Sequence, residues 1–296
     1  MAEAVLNPAE SLLTAESAAQ PGAAPGLSAV SEGGLSLKSV SFSHGESLIL
    51  EDISLDIHGG EFLVLIGNSG CGKTTVLRLL AGLERPQKGV IKWGGTEITG
   101  PSIERGIVFQ DYSLFPWMSL LDNIVLAVRK ARPELRRIEA KELGREYLAM
   151  VGLEAARGKY PHQLSGGMRQ RGAIARVFAL QSKVLLMDEP FGALDPVSRA
   201  GLQDLTTEIW AGSSPRKTVV FVTHDVEEAL YLGDRIVALG SRPGRVITEM
   251  PLSFGRPRHR AEIFAAREFQ DAQAELLSAY RRDTINRTDI TIGGNL

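Results

Sequence analysis

Eight residues, GNSGCGKT at 67–74, carry the densest chemical signal in the chain. The spacing is G-x-x-x-x-G-K-[ST], placed after the apolar run FLVLI and before the helical run TTVLRLLAGL, the context such a loop requires. The backbone of Gly67, Asn68, Ser69, Gly70, Cys71 and Gly72 is expected to wrap phosphate oxygens. The helix opening at Lys73, Thr74 and Thr75 adds the positive end of its dipole. Lys73 would reach β- and γ-phosphates, and Thr74 would place its hydroxyl on Mg²⁺. Cys71 reads as a small filler of the loop rather than a redox switch.

A second stretch, VLLMDEP, delivers Asp188 and Glu189 to the end of an apolar strand, the edge where ligands gather in open α/β sheets. Asp188 can hold Mg²⁺ through water. Glu189 has the chemistry to orient or deprotonate an attacking water. A strand-end acidic pair can also simply cap the next element, but beside a phosphate loop the catalytic reading is preferred. A third stretch, LSGGMRQR at 164–171, precedes the helical run GAIARVFALQSK. Ser165 can cap that helix, and the amides of Gly166 and Gly167 then form another anion site.

Alternating elements must position these groups. LSLKSVSFS and LILEDISLDI alternate as half-buried strands, separated by a turn at His44-Gly45. GGEFLVLIG, KVLLMD and TVVFVTH read as buried strands; GVIKWGG and RGIVFQ read as two more. Between Phe115 and Leu164 the pattern is helical only, in SLLDNIVLAVRKA and RIEAKELGREYLAMVGL. VSRAGLQDLTTEIWAGS and DVEEALYLG are further helices. DRIVALGSRPGRVITEMP reads as a hairpin with a type II turn, Pro243 fixing φ and Gly244 taking φ > 0. The expected architecture is a doubly wound α/β core carrying an inserted helical subdomain at about 115–165. HRAEIFAAREFQDAQAELLSAYRR predicts one amphipathic helix in a C-terminal tail, 251–296. Residues 1–34, free of Lys and Arg, read as a flexible extension.

Composition bounds the functional class. The chain has 296 residues, 44% hydrophobic and 23% charged, enough to bury a sizeable core. A net charge of −2 speaks against duplex nucleic acid as a partner. The basic run RPRHR at 256–260 reads as a solvated turn. A single cysteine permits no internal disulfide. No apolar run reaches the length of a membrane span, and Glu3, Glu10, Glu16 and Pro8 do not suit a signal peptide. A cytoplasmic location is expected.

Six stretches in order resemble the motifs of ABC-type ATPases: the loop at 67–74, Gln110 in VFQDYSLFPW, the signature at 164–168, MDEP at 187–190, ALD at 193–195 and His224 in VTHD. The resemblance runs from about Leu35 to Met250. It implies a P-loop NTPase core of ABC type with an N-terminal antiparallel β subdomain and the helical insert. It implies ATP as ligand, hydrolysed with Mg²⁺. The signature Ser165-Gly166-Gly167 would close over ATP held by a second subunit, making a C2 homodimer with composite sites. Gln110 would contact Mg²⁺ or the attacking water, His224 the γ-phosphate, and Asp195 the partner subunit. Without the family, Gln110 is a polar strand end, His224 a satisfied histidine and Asp195 a helix cap. One departure stands out: the family stacks adenine on an aromatic residue just before Gly45, where this chain has His44. Phe42, two residues earlier on the same strand face, is the other candidate.

The finer resemblance, in FPW, ALDPVSRAGLQDLTTEIW and GSRPGRVI, is to importers of the nitrate, sulfonate and taurine group. That implies separate permease subunits, a periplasmic or lipid-anchored solute-binding protein, and a peripheral place on the cytoplasmic face of the membrane. Phe115, Trp117 and Met118 would sit where a permease helix docks. The alternative is a soluble ABC-type ATPase of DNA repair or translation, which would generally add coiled coils, a zinc module or a second ATPase unit. Ser165→Arg is expected to abolish hydrolysis while leaving ATP binding by the monomer largely intact; equilibrium titration and phosphate release read the two separately, and equal loss of both contradicts the composite site.

Overall fold

A computed structural model describes residues 33–110, 113–192, 194–240 and 242–293. The expected extension at 1–34 lies outside the described residues except for Gly33 and Gly34, as does Ala193 of the ALD motif. The described chain divides into two compact units, with the division passing inside one strand, Val184–Asp188.

Among the described residues, one unit comprises 33–102, 186–189 and 218–293. Its first sheet is antiparallel, in the order β2-β1-β4-β5, from β1 (Leu35–His44), β2 (Ser47–Ile57), β4 (Lys88–Trp93) and β5 (Thr96–Glu97). The sequence did not announce β5, because it is two exposed residues with no room for an alternating pattern. The second sheet runs β10-β9-β3-β8-β7, from β3 (Phe62–Gly67), β7 (Val184–Asp188), β8 (Thr218–Thr223), β9 (Arg235–Leu239) and β10 (Val246–Pro251). β3 pairs in parallel with β8 on one side and β9 on the other. Every residue of β3, β7 and β8 is buried, which is why these strands read as unbroken apolar runs. Four helices belong to this unit: α1 (Lys73–Ala81), α6 (Val226–Leu232), α7 (Arg260–Ala265) and α8 (Arg267–Gly293).

The other unit carries β6 (Arg105–Val108) and helices α2 (Leu120–Ala131), α3 (Arg137–Met150), α4 (Gly166–Ala179) and α5 (Pro196–Gly212). The Val184 amide donates to Glu104 O at 2.9 Å. Helix α2 begins at Ser119, whose Oγ accepts from the Asp122 amide at 3.1 Å. It packs on both α3 and α4, and α4 comes so close that a Cβ on Gly172 would lie 2.7 Å from Leu120 Cδ1. Trp210 on α5 is fully buried and donates Nε1–H to Lys217 O at 2.6 Å.

Three expectations are corrected. The β9–β10 turn is not type II: the Arg242–Pro243 bond is cis and Gly244 is not in the left-handed region. Glycine is needed at 244 for close approach instead. Its amide donates to Ile49 O at 2.7 Å, its carbonyl accepts from Glu51 N at 2.9 Å, and a Cβ there would lie 2.0 Å from Cys71 O. The single C-terminal helix is two, broken at Ala266, which is extended at ψ 138. The break brings Phe264 edge-on to Phe269 at 4.9 Å and lets both join Tyr231 and Phe254 in an aromatic cluster. RPRHR is not a solvated turn. Arg256 Nε donates to Asp234 Oδ1 at 2.9 Å, and Arg258 Nη1 donates to the Leu230 and Tyr231 carbonyls that end α6. Burial, then repulsion from Arg256, brings the Arg258 guanidinium down to about 10.

Gly244→Ala is expected to destabilise the chain by about 1–3 kcal/mol, since the neighbouring atom is backbone and not a movable side chain. In thermal unfolding this appears as a midpoint lowered by several degrees; an unchanged midpoint contradicts the close approach.

Candidate functional site

Strand β3 ends at Gly67, and the chain then turns through 68–72 into α1. The residue preceding α1, Gly72, is left-handed at φ 98 and supplies no side-chain cap, so the first-turn amides of α1 have no partner from a capping side chain. Lys73 lies at the start of the helix, 6% exposed, and its Nζ donates to Gly67 O at 2.6 Å and Asn68 O at 3.2 Å. The cation is therefore folded over its own loop. Asn68, Ser69, Gly70 and Thr74 are exposed, Thr75 is half-buried, and Cys71 is buried. Burial pushes the Cys71 thiol up, against the opposing pull of the Lys73 charge, so the side chain stays a protonated filler.

The adjoining strands bring three more expected residues to the same edge of the sheet. Ile66 and Thr223 are in register across β3 and β8, and the Glu189 amide donates to Val222 O at 3.0 Å just beyond the end of β7. Asp188 is 4% exposed. Burial raises its carboxyl above the usual range, and a hydrogen bond from the Thr74 hydroxyl opposes that rise. Glu189 sits at φ 46, an unusual conformation for a residue with a side chain. Its Oε2 lies 3.2 Å from His224 Nδ1. His224 follows β8 directly and is largely exposed, and Asp225 behind it caps α6 through the Glu227 and Glu228 amides. Lys73, Thr74, Asp188, Glu189 and His224 thus belong to one compact unit.

Phe42 is buried at 7% exposure, while His44, the last residue of β1 before the turn, is exposed. The register of β1 against β2 shifts between Phe42 and Ser43. Of the two rings, only His44 presents an accessible face.

Gln110, Ser165, Gly166, Gly167 and Asp195 belong to the other unit. Gln110 is exposed in a turn after β6. Ser165 caps α4, its Oγ accepting from the Met168 amide at 3.3 Å, and Gly166 and Gly167 form the first turn. A Cβ on Gly167 would lie 2.8 Å from Leu194 Cδ2, so this glycine turn and the ALD segment are immediate neighbours. Asp195 caps α5, Oδ1 accepting from the Ser198 amide at 3.0 Å; that bond holds its carboxyl below the usual range.

Sequence reasoning missed Asn123, which is fully buried on α2. Its Oδ1 accepts from Phe115 N at 2.8 Å, and its Nδ2 donates to Phe115 O at 3.2 Å and Ser119 O at 3.0 Å. It pins the segment that exposes Trp117, at 71%, with Phe115 beside it at 5.4 Å between ring centroids. The signal was an Asn at an otherwise apolar helix position.

The arrangement fits a nucleoside triphosphate with Mg²⁺. A glycine-rich loop ends in a buried lysine, and a buried carboxylate accepts from the hydroxyl near the start of the helix. Among the described residues no group of three or more His, Cys, Asp or Glu could hold a metal alone. Among the described residues no helix is long and apolar enough to cross a membrane.

Comparison with known proteins agrees. The ABC transporter family model matches residues 50–192. The chain is 46% identical over 235 residues to the nitrate import ATP-binding protein NrtC of Synechococcus elongatus, covering 79% of this chain but only 35% of that longer protein. It is 43% identical over 228 residues to the bicarbonate transport ATP-binding protein CmpD of the same organism, covering 77% of this chain and 81% of CmpD. Among solved structures, the dimeric post-hydrolysis state of the ATP-binding cassette MJ0796 bound to ADP and Pi superposes with a TM-score of 0.66 at 32% identity, covering 75% of this chain and all of that one.

The raised Asp188 carboxyl carries a sign. The folded state binds more protons than the unfolded state between the ordinary and the raised value, so stability falls as pH rises through that window and stays lower above it. Asp188→Asn in metal-free buffer is expected to raise the thermal midpoint at pH 7.5 by about 2–4 °C, the shift produced by about 1 kcal/mol in a chain of this size. The difference should shrink on acidification toward pH 4, while Mg²⁺-dependent hydrolysis is lost. A midpoint below wild type at pH 7.5 contradicts the burial cost.

Proposed function

The chain belongs to the ABC transporter ATP-binding family, and from that premise we propose that it is the ATP-hydrolysing subunit of an importer that drives separate permease subunits. The observation that carries the chemical half of this reading is the approach of His224 Nδ1 to Glu189 Oε2 at 3.2 Å, in the same unit as the buried Lys73 and Asp188. In this reading the amides of 67–72 and Lys73 hold the β- and γ-phosphates. Thr74 and Asp188 hold Mg²⁺, which when bound neutralises charge on the phosphate oxygens. Glu189 Oε2 orients a water and accepts its proton as the water oxygen attacks the γ-phosphorus and the bond to ADP breaks. His224 Nδ1–H steadies the Glu189 carboxylate. His44 is the ring that stacks on adenine.

Two copies are proposed to close around two ATP molecules, with Ser165, Gly166 and Gly167 of one chain and Asp195 beside them completing the site of the other. That the MJ0796 cassette is a dimer supports this C2 arrangement. The segment from Phe115 to Met118, pinned by Asn123, is the proposed dock for a permease helix. The likeness to NrtC and CmpD favours import of a small solute over a role in repair or translation, with nitrate, a sulfonate, taurine or a related solute as cargo delivered by a binding protein. The proposed place is peripheral, on the cytoplasmic face of the membrane.

Glu189→Gln is expected to slow hydrolysis by about 10²-fold or more while ATP binding persists. The variant should elute as a dimer in ATP and co-purify from detergent-solubilised membranes with a multispan permease, about one copy per chain. Elution as monomer in ATP contradicts the sandwich dimer; recovery of ribosomes or nucleic acid without a permease contradicts transport.

A further inference from the structure

We propose that Arg242, carried on the β9–β10 turn, is a positioning residue of the nucleotide site that clamps the phosphate loop in its binding shape. This rests on the reading of residues 67–74 as the phosphate-binding loop. Arg242 Nε donates to Gly70 O at 3.0 Å, and the guanidinium lies across the glycine so closely that a Cβ there would meet Nη2 at 2.6 Å. Gly70 itself is left-handed at φ 78.

The position of that hydrogen bond decides what it can do. Gly70 O and the Cys71 amide belong to one peptide plane. The amide donates to Asn68 O at 3.2 Å, and the carbonyl receives Arg242. With both ends tied, the plane cannot rotate, and the amides on either side keep their direction. Lys73 ties the other end of the loop through Gly67 O and Asn68 O. A loop that binds by aiming several amides at one anion loses affinity if any plane turns.

An exposed arginine is a useful clamp only if its own base is fixed, and this one is. Gly244, two residues on, exchanges hydrogen bonds with β2 through Ile49 O and Glu51 N. Gly240 N, at the other end of the turn, donates to Arg245 O at 2.9 Å. Helix α8 braces the turn from behind. Asp283, with a side chain only 7% exposed, accepts from Arg245 Nη2 at 3.2 Å, and a Cβ on Gly240 would lie 3.0 Å from its Oδ2. The C-terminal helix therefore has a mechanical route to the phosphate loop, through Asp283, the turn and Arg242.

Loop shape serves the bound substrate and the transition state alike, so its loss should raise KM and leave kcat nearly unchanged. In the full chain, Arg242→Ala is expected to weaken equilibrium binding of a fluorescent ATP analogue by about tenfold, the loss of one charge-assisted hydrogen bond. KM for ATP should rise in step, with kcat and the nucleotide-free thermal midpoint close to wild type. Arg242→Lys, which still donates but lacks the planar fork, should recover part of the affinity. Wild-type affinity in Arg242→Ala overturns the proposal. So does a loss of affinity accompanied by falls in both kcat and the nucleotide-free midpoint, which marks a general folding role. Wild-type protein that binds no analogue overturns the nucleotide reading and this inference with it; wild-type binding with an unaffected Arg242→Ala overturns this inference alone.

Discussion

In the proposed reading, the backbone between Gly67 and Lys73 aims its amides at one anion, and the surrounding elements hold that loop in place. A buried parallel strand supplies a rigid start at Gly67, and a helix supplies a rigid end at Lys73. What lies between is held by hydrogen bonds from its own amides, from Lys73 and from the β9–β10 turn. The flanking parallel strands then bring acid and imidazole to the same edge without any direct sequence link to the loop.

Placing chemistry at that edge carries a stability cost that the rest of the unit offsets. Asp188 is an acid in a buried position, and Glu189 is held in a left-handed conformation that costs about 1–3 kcal/mol for a residue with a side chain. Both follow from the same strand end: Asp188 is the last residue of the buried strand β7 and Glu189 the first after it, in the left-handed region. The surrounding core, with every residue of β3, β7 and β8 buried, provides the apolar burial that tolerates this.

The basic and C-terminal segments belong to this economy too. Arg256 and Arg258 take up the carbonyls and carboxylate at the end of α6, and the broken C-terminal helices cover the aromatic cluster around Phe264 and Phe269. Asp283 anchors Arg245 in the β9–β10 turn. A tail that composition alone leaves without a role is thereby joined to the hairpin that touches the phosphate loop.

The sequence by itself determined the strands and helices that carry strong periodicity, the phosphate loop, the acidic pair and the order of the motifs, because each depends on neighbours a few residues away. It did not reveal β5, the burial of Phe42 beside an exposed His44, the close approach at Gly244, or the break at Ala266. Nor did it show Asn123 holding the Phe115 segment, or Arg242 reaching Gly70 across 172 positions. These are decided by contacts between residues distant in the chain. A pattern of period 2 or 3.6 records which face is buried, but not what stands opposite it. Only the tertiary structure sets that, because hydrogen bonds and close packing are satisfied by whatever the fold brings within reach.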